Sequence, residues 1–284
     1  MKNQFSVTAT LATRRGRPSA LIFSGLLLIG ALAALTLTAA AQGGPPFITN
    51  DPGTPGNENW EINVMTYSER HPTERIFNAP LLDMNYGVGD RIQLTWEVPY
   101  LVEGTDGGPT RTGLGKSVPG VKWRFYDSDE KKLAISVFPQ IEFNNPGSSS
   151  LPRGLVDYGT RFYLPIELSK KVGPFEVNPE VGYIFANGKG SAWFTGLVVL
   201  KEISKRVELA TEFYGIGNTD GSYHWDTLDF GGRYTLGQHF VLLFMAGRSL
   251  TTPSIDQPQF FGYGGMQFLF SMKHKKPAPA ETGP

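Results

Sequence analysis

Cysteine is absent from the 284 residues, and histidine occurs only four times. The absence of cysteine excludes a disulfide scaffold, a thiolate metal site and a cysteine nucleophile. The histidines, His71, His224, His239 and His274, have neither the spacing of metal ligands nor that of a Ser/His catalytic arrangement. We therefore expect no catalytic residues, no metal and no cofactor, and predict that the protein is not an enzyme.

An excess of basic residues is also missing, because 26 lysines and arginines balance 26 acidic residues. The first 41 residues hold four of the basic side chains and no acidic one, which leaves 22 basic against 26 acidic residues, a net charge of about −4, in the rest of the chain. Nucleic-acid binding requires a basic surface. We therefore expect no nucleic-acid partner.

Beyond residue 41 the chain lacks any apolar run close to the roughly 18 residues that a membrane-spanning helix needs. Before it, a basic section that ends at Pro18 is followed by an apolar run from about Ala20 to Leu37, and Ala39-Ala40-Ala41 offers a cleavage site. This pattern predicts a cleaved signal peptide over residues 1–41, with a retained membrane anchor as the alternative. Any later membrane insertion must use strands.

Alternation of apolar and polar residues is abundant after the signal. In residues 91–100, for example, Leu94, Trp96 and Val98 share one face, and polar side chains occupy the other. The same alternation predicts twelve strands. They span about 60–67, 80–87, 91–100, 121–126, 133–143, 157–168, 175–185, 192–201, 207–214, 225–235, 239–247 and 260–270.

Short connections between these strands alternate with longer ones, among them 68–79, 102–117 and 144–154. This layout is typical of transmembrane barrels, which have short periplasmic turns and longer outer loops. Aromatic residues near strand ends, and charges of both signs on the polar faces, favour lipid as the environment of the apolar faces. We predict an all-β antiparallel transmembrane β-barrel of about 12 strands in the outer membrane. A soluble periplasmic ligand-binding β-protein is an alternative, because periodicity alone does not say which face points inward.

Four segments are predicted in chain order. They are the signal peptide at 1–41, an extended periplasmic lead-in rich in Pro, Gly and Asn at 42–59, the barrel at 60–270 and a disordered polar tail at 271–284.

Short motifs rich in glycine and aromatic residues recur along the mature chain. They are Gly44-Pro45-Pro46-Phe47-Ile48-Thr49-Asn50-Asp51-Pro52, Trp60-Glu61, Asn85-Tyr86-Gly87, Gly120-Val121-Lys122-Trp123-Arg124-Phe125, Phe138-Pro139, Gly231-Gly232-Arg233-Tyr234, Ala246-Gly247-Arg248 and Gly262-Tyr263-Gly264-Gly265-Met266-Gln267-Phe268. Together they resemble a bacterial family named after the MetA pathway of phenol degradation. The resemblance implies an outer-membrane barrel assigned to transport, and it alone implies aromatic or hydrophobic solutes. The chain departs from the family in having Asn50-Asp51 where paired acids are usual, and fourteen residues follow Phe270.

If the apolar faces meet lipid, the polar faces place charges of both signs in the lumen. The lumen-lining candidates are Arg91, Glu97, Lys122, Arg124, Glu142, Arg161, Glu167, Glu176, Glu180, Glu208, Glu212, Asp229 and Arg233. Because burying unpaired charges is costly, they must pair, stay hydrated or do both. They either cross-link and plug the interior or line a water-filled path.

These observations predict a monomeric outer-membrane barrel that passes or binds small solutes. Its expected partners are outer-membrane lipid, the barrel-assembly machinery and a small-molecule solute. The alternative within the membrane is a non-conducting structural or surface-interaction barrel, with the loops at 102–117 and 144–154 as contact sites.

Overall fold

The computed structural model describes residues 44–186, 191–252 and 257–272. The predicted signal peptide, the tail from residue 273 onward and His274 lie outside these ranges. Within them, no helix is long and apolar enough to cross a membrane.

Fourteen strand segments account for most of the described chain. They are β1 (Asn59–Arg70), β2 (Glu74–Val88), β3 (Ile92–Thr105), β4 (Arg111–Leu114), β5 (Val118–Ser128), β6 (Leu133–Val137), β7 (Gln140–Glu142), β8 (Arg161–Val172), β9 (Phe175–Ala186), β10 (Ala192–Ser204), β11 (Val207–Asn218), β12 (His224–Thr235), β13 (Phe240–Ser249) and β14 (Phe260–Ser271).

The segments form one closed antiparallel wall of twelve strands. β4 and β5 both pair with β3 and form the fourth strand of the wall, while β6 and β7 both pair with β8 and form the fifth. β1 pairs with β14 from Asn59 opposite Ser271 to Arg70 opposite Phe260, which closes the sheet on itself. Closure satisfies the backbone of both edge strands, as a membrane-spanning sheet requires. The predicted barrel of about 12 strands is confirmed.

The apolar faces of the strands point outward. In β8, Leu164 and Ile166 are 42% and 50% exposed, whereas the neighbouring Glu167 is fully buried. In β11, Phe213 is 42% exposed and the adjacent Glu212 is fully buried. An apolar belt thus surrounds a polar interior, as in transmembrane barrels. The alternative of a soluble β-protein is wrong, because such a protein would have the opposite arrangement.

Two connections are shorter than the sequence predicts. β1 and β2 pair up to Arg70 opposite Arg75, which leaves only residues 71–73 between them in place of the predicted loop 68–79. β3 and β4 pair up to Glu103 opposite Arg111, which reduces the predicted loop 102–117 mainly to 106–110. Both extensions are maintained by backbone hydrogen bonds, which every residue type except proline can donate, so the alternation of apolar side chains does not predict them. The longest described connection is residues 143–160, between β7 and β8.

Residues 44–55, here called the plug, lie inside the barrel. The plug reaches the wall strand β10, where Thr49 is 2% exposed and packs against Gly196. It leaves the lumen at the β2–β3 turn, where the Thr54 hydroxyl donates to the carbonyl of Asp90 at 2.9 Å. These residues belong to the segment predicted as an extended lead-in, and in the structure they contact lumenal side chains. The prolines of this segment have no N–H group, and the N–H groups of Ile48, Thr49 and Asn50 find acceptors on lumenal side chains.

Candidate functional site

Two lumenal carboxylates hold the plug by its backbone. Glu212 accepts the N–H of Ile48 at 3.0 Å and that of Thr49 at 2.5 Å. Glu180, on β9, accepts the N–H of Asn50 at 3.0 Å. Both carboxylates are nearly or fully buried. Hydrogen bonds to a charged acceptor are the stronger kind, so these contacts fix the position of the plug.

Two cations hold the plug by its carbonyl oxygens. The Lys122 ammonium donates to the carbonyl of Asp51 at 2.5 Å and lies 3.4 Å from a carboxylate oxygen of Glu167. The Arg233 guanidinium donates to the carbonyls of Gly44 and Pro45, at 2.9 Å each. Acidic side chains therefore bind the N–H groups of the plug, and basic side chains bind its carbonyls.

Glycine at two inward positions makes room for the plug. A Cβ built on Gly196 would stand 1.9 Å from the Thr49 hydroxyl oxygen, and one on Gly87 would stand 1.8 Å from the carbonyl oxygen of Gly56, just after the plug. Both distances are far inside van der Waals contact. The wall and the plug are thus fitted to each other at these points.

The remaining charged candidates differ in their surroundings. Glu208 pairs with Arg233, and Glu142 pairs with Arg161. Asp229 is buried opposite Glu212 in the β11–β12 ladder. Arg124 donates to the Asp90 carbonyl and pairs with Asp127, and Glu176 accepts from Ser169. Arg91 differs from the others, because it lies in the turn before β3 and its side chain is exposed. Glu97 lines a cavity.

That cavity, here called the chamber, has a volume of about 320 Å³ and lies between the plug and the wall. Many of its polar lining residues come from β1, β2 and β3. They include Glu61, Asp83, Asn85, Gln93, Thr95 and Glu97. Of these, only Glu97 is among the thirteen candidates from the sequence. Glu61 and Asp83 lie on strands with weak apolar alternation. Each is two residues from a polar residue, Asn63 or Asn85, and this polar spacing could have identified them as facing inward.

A chain of hydrogen bonds fixes several of these polar residues. Asp83 accepts from the amide groups of Asn63 and Asn85, at 2.9 Å each. The Gln93 amide donates to the Asn85 carbonyl oxygen at 2.7 Å, and the Thr95 hydroxyl donates to the same oxygen at 2.6 Å. The carboxylate of Asp83 is thereby held in one orientation.

A second cluster ties the wall to the long connection 143–160. Glu142 accepts from Arg161 at 2.5 Å, from the Lys116 ammonium at 3.1 Å and from the Tyr163 hydroxyl at 3.1 Å. Lys116 and Arg161 both pair also with Asp157 of the connection. Glu142 lines the chamber, but its charge is balanced by these cations.

No family model matches the chain, and no match was found among curated proteins. Solved structures of outer-membrane barrels are similar in fold. The COG4313 outer membrane channel from Pseudomonas putida F1 is 11% identical, with a TM-score of 0.63, over 83% of this chain and all of that one. The NanC porin and the KdgM porin in complex with disordered oligogalacturonate are 10% and 9% identical, with TM-scores of 0.53 and 0.52, each over 73% of this chain and 98% of theirs. Together with the apolar outer belt, these likenesses show that the chain has the fold of an outer-membrane β-barrel and is located in the outer membrane.

Proposed function

We propose that the protein is an outer-membrane channel for small amphiphilic solutes, closed at rest by the plug. One observation carries the proposal. Among the described residues, the plug forms no backbone ladder with the wall, and its contacts to the wall are made largely by side chains such as Glu180 and Glu212. A segment held in this way can move without opening the twelve-stranded wall.

The chamber supports amphiphilic rather than fully polar solutes. Its lining combines polar groups with apolar side chains, among them Phe47 and Ile48 of the plug and Met65, Leu81 and Met245 of the wall. Ligand sites commonly combine an apolar lining with a few placed polar groups. The aromatic or hydrophobic solutes implied by the resemblance to the MetA-pathway family fit this lining, and membership of that family is part of the proposal. The similar solved structures, which include a channel and porins, also support passage of solutes.

We further propose that the barrel works as a monomer and is inserted into outer-membrane lipid by the barrel-assembly machinery. The continuous β1–β14 seam supports a monomer, since the wall closes within one chain.

The test is single-channel conductance of residues 42–284 in a planar bilayer, compared with the double variant Glu180→Ala/Glu212→Ala. We expect few and small steps from the parent protein, and larger or longer-lived steps from the variant, because its plug has lost three backbone contacts. Glu202→Ala is the matched control, since Glu202 is an exposed glutamate on β10. Silence from both proteins, each shown to be folded and inserted, would contradict a channel and favour the non-conducting barrel.

A further inference from the structure

We propose that residues 143–160, here called the lid, form a second gate of the channel, which closes the chamber from the end opposite the plug and is held shut by Asp157. The inference rests on the proposed function, because a gate has a role only in a channel. It adds to that function a second closing element, built from the longest described connection of the wall.

The lid and the plug approach the chamber from opposite ends of the barrel. The plug leaves the lumen at the β2–β3 turn, and the wall strands alternate in direction from there, so the β7–β8 connection lies at the other end. The chamber lies between them, since its lining includes Phe47 and Ile48 of the plug and also Glu142, after which the lid begins. The lid thus borders the route into the chamber from that end.

The lid folds against the inner face of β4. Gly113 lies opposite Leu101 in the β3–β4 ladder, on the same face as the buried Glu103. A Cβ on Gly113 would stand 2.6 Å from the Ser150 hydroxyl oxygen and 2.9 Å from a methyl carbon of Leu155. Ser150 and Leu155 are 1% and 8% exposed. Residues of the lid therefore occupy lumenal space that a side chain of the wall would otherwise fill.

Asp157 attaches the last part of the lid to two cations of the wall. One of its carboxylate oxygens pairs with Lys116, and the other accepts from Arg161 at 2.5 Å. Both cations also pair with Glu142 of the chamber lining. The Asp157 side chain is 27% exposed, so it regains water when it leaves these partners. Contacts of this kind hold the lid but can be broken at moderate cost.

The backbone of the lid is largely separate from the ladders of the wall. Phe143 forms a bridge with Ser117 at the start of the lid, and beyond it the backbone bonds run mainly within the lid, as from the N–H of Leu155 to the carbonyl of Ser150 at 2.9 Å. Wall side chains bind the lid from outside, for example Arg111, which donates to the carbonyl of Arg153 at 3.2 Å. The lid can therefore move without opening the wall.

A reversible cross-link between lid and wall tests the gate. The Cβ atoms at positions 113 and 150 would stand 3.7 Å apart, within the roughly 3.5–4.5 Å that a disulfide requires, and the chain has no cysteine of its own. Gly113→Cys/Ser150→Cys is introduced into the plug-released variant Glu180→Ala/Glu212→Ala, and single-channel currents are recorded before and after reduction with dithiothreitol. We expect the oxidised protein to lose most of its current and the reduced protein to recover it. Either cysteine substitution alone cannot form the cross-link and should make the current insensitive to the reductant.

Asp157→Asn tests the contacts that hold the lid, again in the plug-released variant. The amide keeps the shape of the side chain but loses the charge that pairs with Lys116 and Arg161. The open fraction should therefore rise about tenfold, because hydrogen bonds between charged groups are the stronger ones. Asp106→Asn is the matched control, since Asp106 is an exposed aspartate in the β3–β4 turn at the same end of the barrel.

Access to the chamber gives a readout that does not depend on conduction. With the plug intact, Glu97→Cys places a thiol in the chamber lining, and its modification by a small cationic methanethiosulfonate is timed in detergent. Modification should be about tenfold slower when the oxidised Gly113→Cys/Ser150→Cys pair is present, and about tenfold faster with Asp157→Asn. A thiol from Glu202→Cys, at an exposed position of β10, should react at one rate in all three backgrounds. Mass spectrometry verifies the cross-link, and circular dichroism verifies the fold.

Equal currents before and after reduction, or equal reaction rates of the chamber thiol with and without the cross-link, would overturn the lid and leave conduction by the barrel untouched. Conversely, a plug-released barrel that is silent in both redox states would remove the proposed channel, while protection of the chamber thiol by the cross-link would still be measured. The two failures are thus distinguishable.

Discussion

At the scale of single residues, the fit between Gly196 and Thr49 determines whether the plug can stay in the lumen. Gly196 lies on the inward face of β10, between the outward Thr195 and Leu197. The space that a side chain would need there is filled by the Thr49 hydroxyl and methyl groups. Glycine is unfavourable inside strands, so the close approach of the plug explains its presence at this position.

We predict that Gly196→Ala displaces the plug and raises the conductance of the barrel. Overpacking of this kind typically costs about 1–3 kcal/mol, so the free energy of unfolding should also fall by that amount in urea titrations followed by tryptophan fluorescence. The double variant Gly196→Ala/Thr49→Gly should recover part of the loss, because the clashing side chain is gone.

Thr195→Ala is the control for that experiment, since Thr195 faces outward on the same strand and is exposed. If Gly196→Ala and Thr195→Ala have the same effect on conductance, the plug is not held where the structure places it.

The inward orientation of charged residues on the strands with strong alternation could be predicted from the sequence, but their binding partners could not. Glu180, Glu212 and Lys122 are on the inward face, as the period of two indicates. Their partners are backbone atoms of a segment more than 70 residues away in the chain, and no local pattern connects them. Glu61 and Asp83 were missed because the strands that carry them have too few apolar residues for the alternation to stand out.

At the scale of strands, depth in the membrane sets the cost of a charge on the outer face. Leu197 lies near the middle of β10 and is 40% exposed, while Ile203 lies near its end and is 55% exposed. Leu197 faces outward in the regular part of the strand, and Ile203 is exposed in the irregular pairing at its end, so the two positions differ mainly in their distance from the centre of the bilayer.

We predict that Leu197→Arg lowers the free energy of unfolding by about 2–4 kcal/mol, and that Ile203→Arg lowers it by at most about 1 kcal/mol. The measurement is equilibrium unfolding in urea of protein inserted into lipid vesicles. Equal costs at the two positions would argue that β10 does not cross the bilayer in the way described.

The strands themselves could be predicted more fully than their ends. Each of the twelve predicted strands has a counterpart in the wall, but β1, β2 and β3 run several residues beyond the predicted limits. The fifth strand of the wall is interrupted at Phe138-Pro139, between β6 and β7, although Pro165 and Pro179 are accommodated within β8 and β9. The extensions and interruptions of strands depend on which backbone groups pair across the sheet, and the periodicity of side chains does not predict this pairing.

At the scale of the whole molecule, the pairing of β1 with β14 at the seam closes the barrel. The seam is complete by Ser271, which lies opposite Asn59. Phe270 lies opposite Trp60, and the two rings are stacked with centroids 6.3 Å apart. The last aromatic residues of the chain therefore lie in β14, the strand that closes the barrel, although further residues follow them.

We predict that a chain ending at Met272 inserts and unfolds like the full-length protein, with free energies of unfolding within about 0.5 kcal/mol of each other. A chain ending at Gln259 lacks β14 and should not form a barrel, since two strand edges would be left unpaired. Refolding into lipid vesicles, followed by circular dichroism, distinguishes the two. Loss of folding in the chain ending at Met272 would show that closure needs more than the seam.

The position of residues 44–55 is the part of the molecule that the sequence could not predict. Their composition correctly indicates irregular backbone, because proline and glycine disfavour both helices and strands. Whether such a segment lies outside or inside depends on the acceptors and donors that the finished lumen offers. Those groups come from strands spread across the whole chain.

The plug also has a consequence for the order of folding. Thr49 and Glu212 are separated by 163 residues, and Ile48 and Glu212 by 164. Contacts between such distant residues form late, because the chain between them must be ordered first. The plug belongs to the earliest-synthesised part of the described chain, yet its binding site exists only after β9 to β12 have joined the wall. Residues 44–55 are therefore made before the strands that bind them but reach their native place after them, and until then they do not obstruct the lumen of the closed wall.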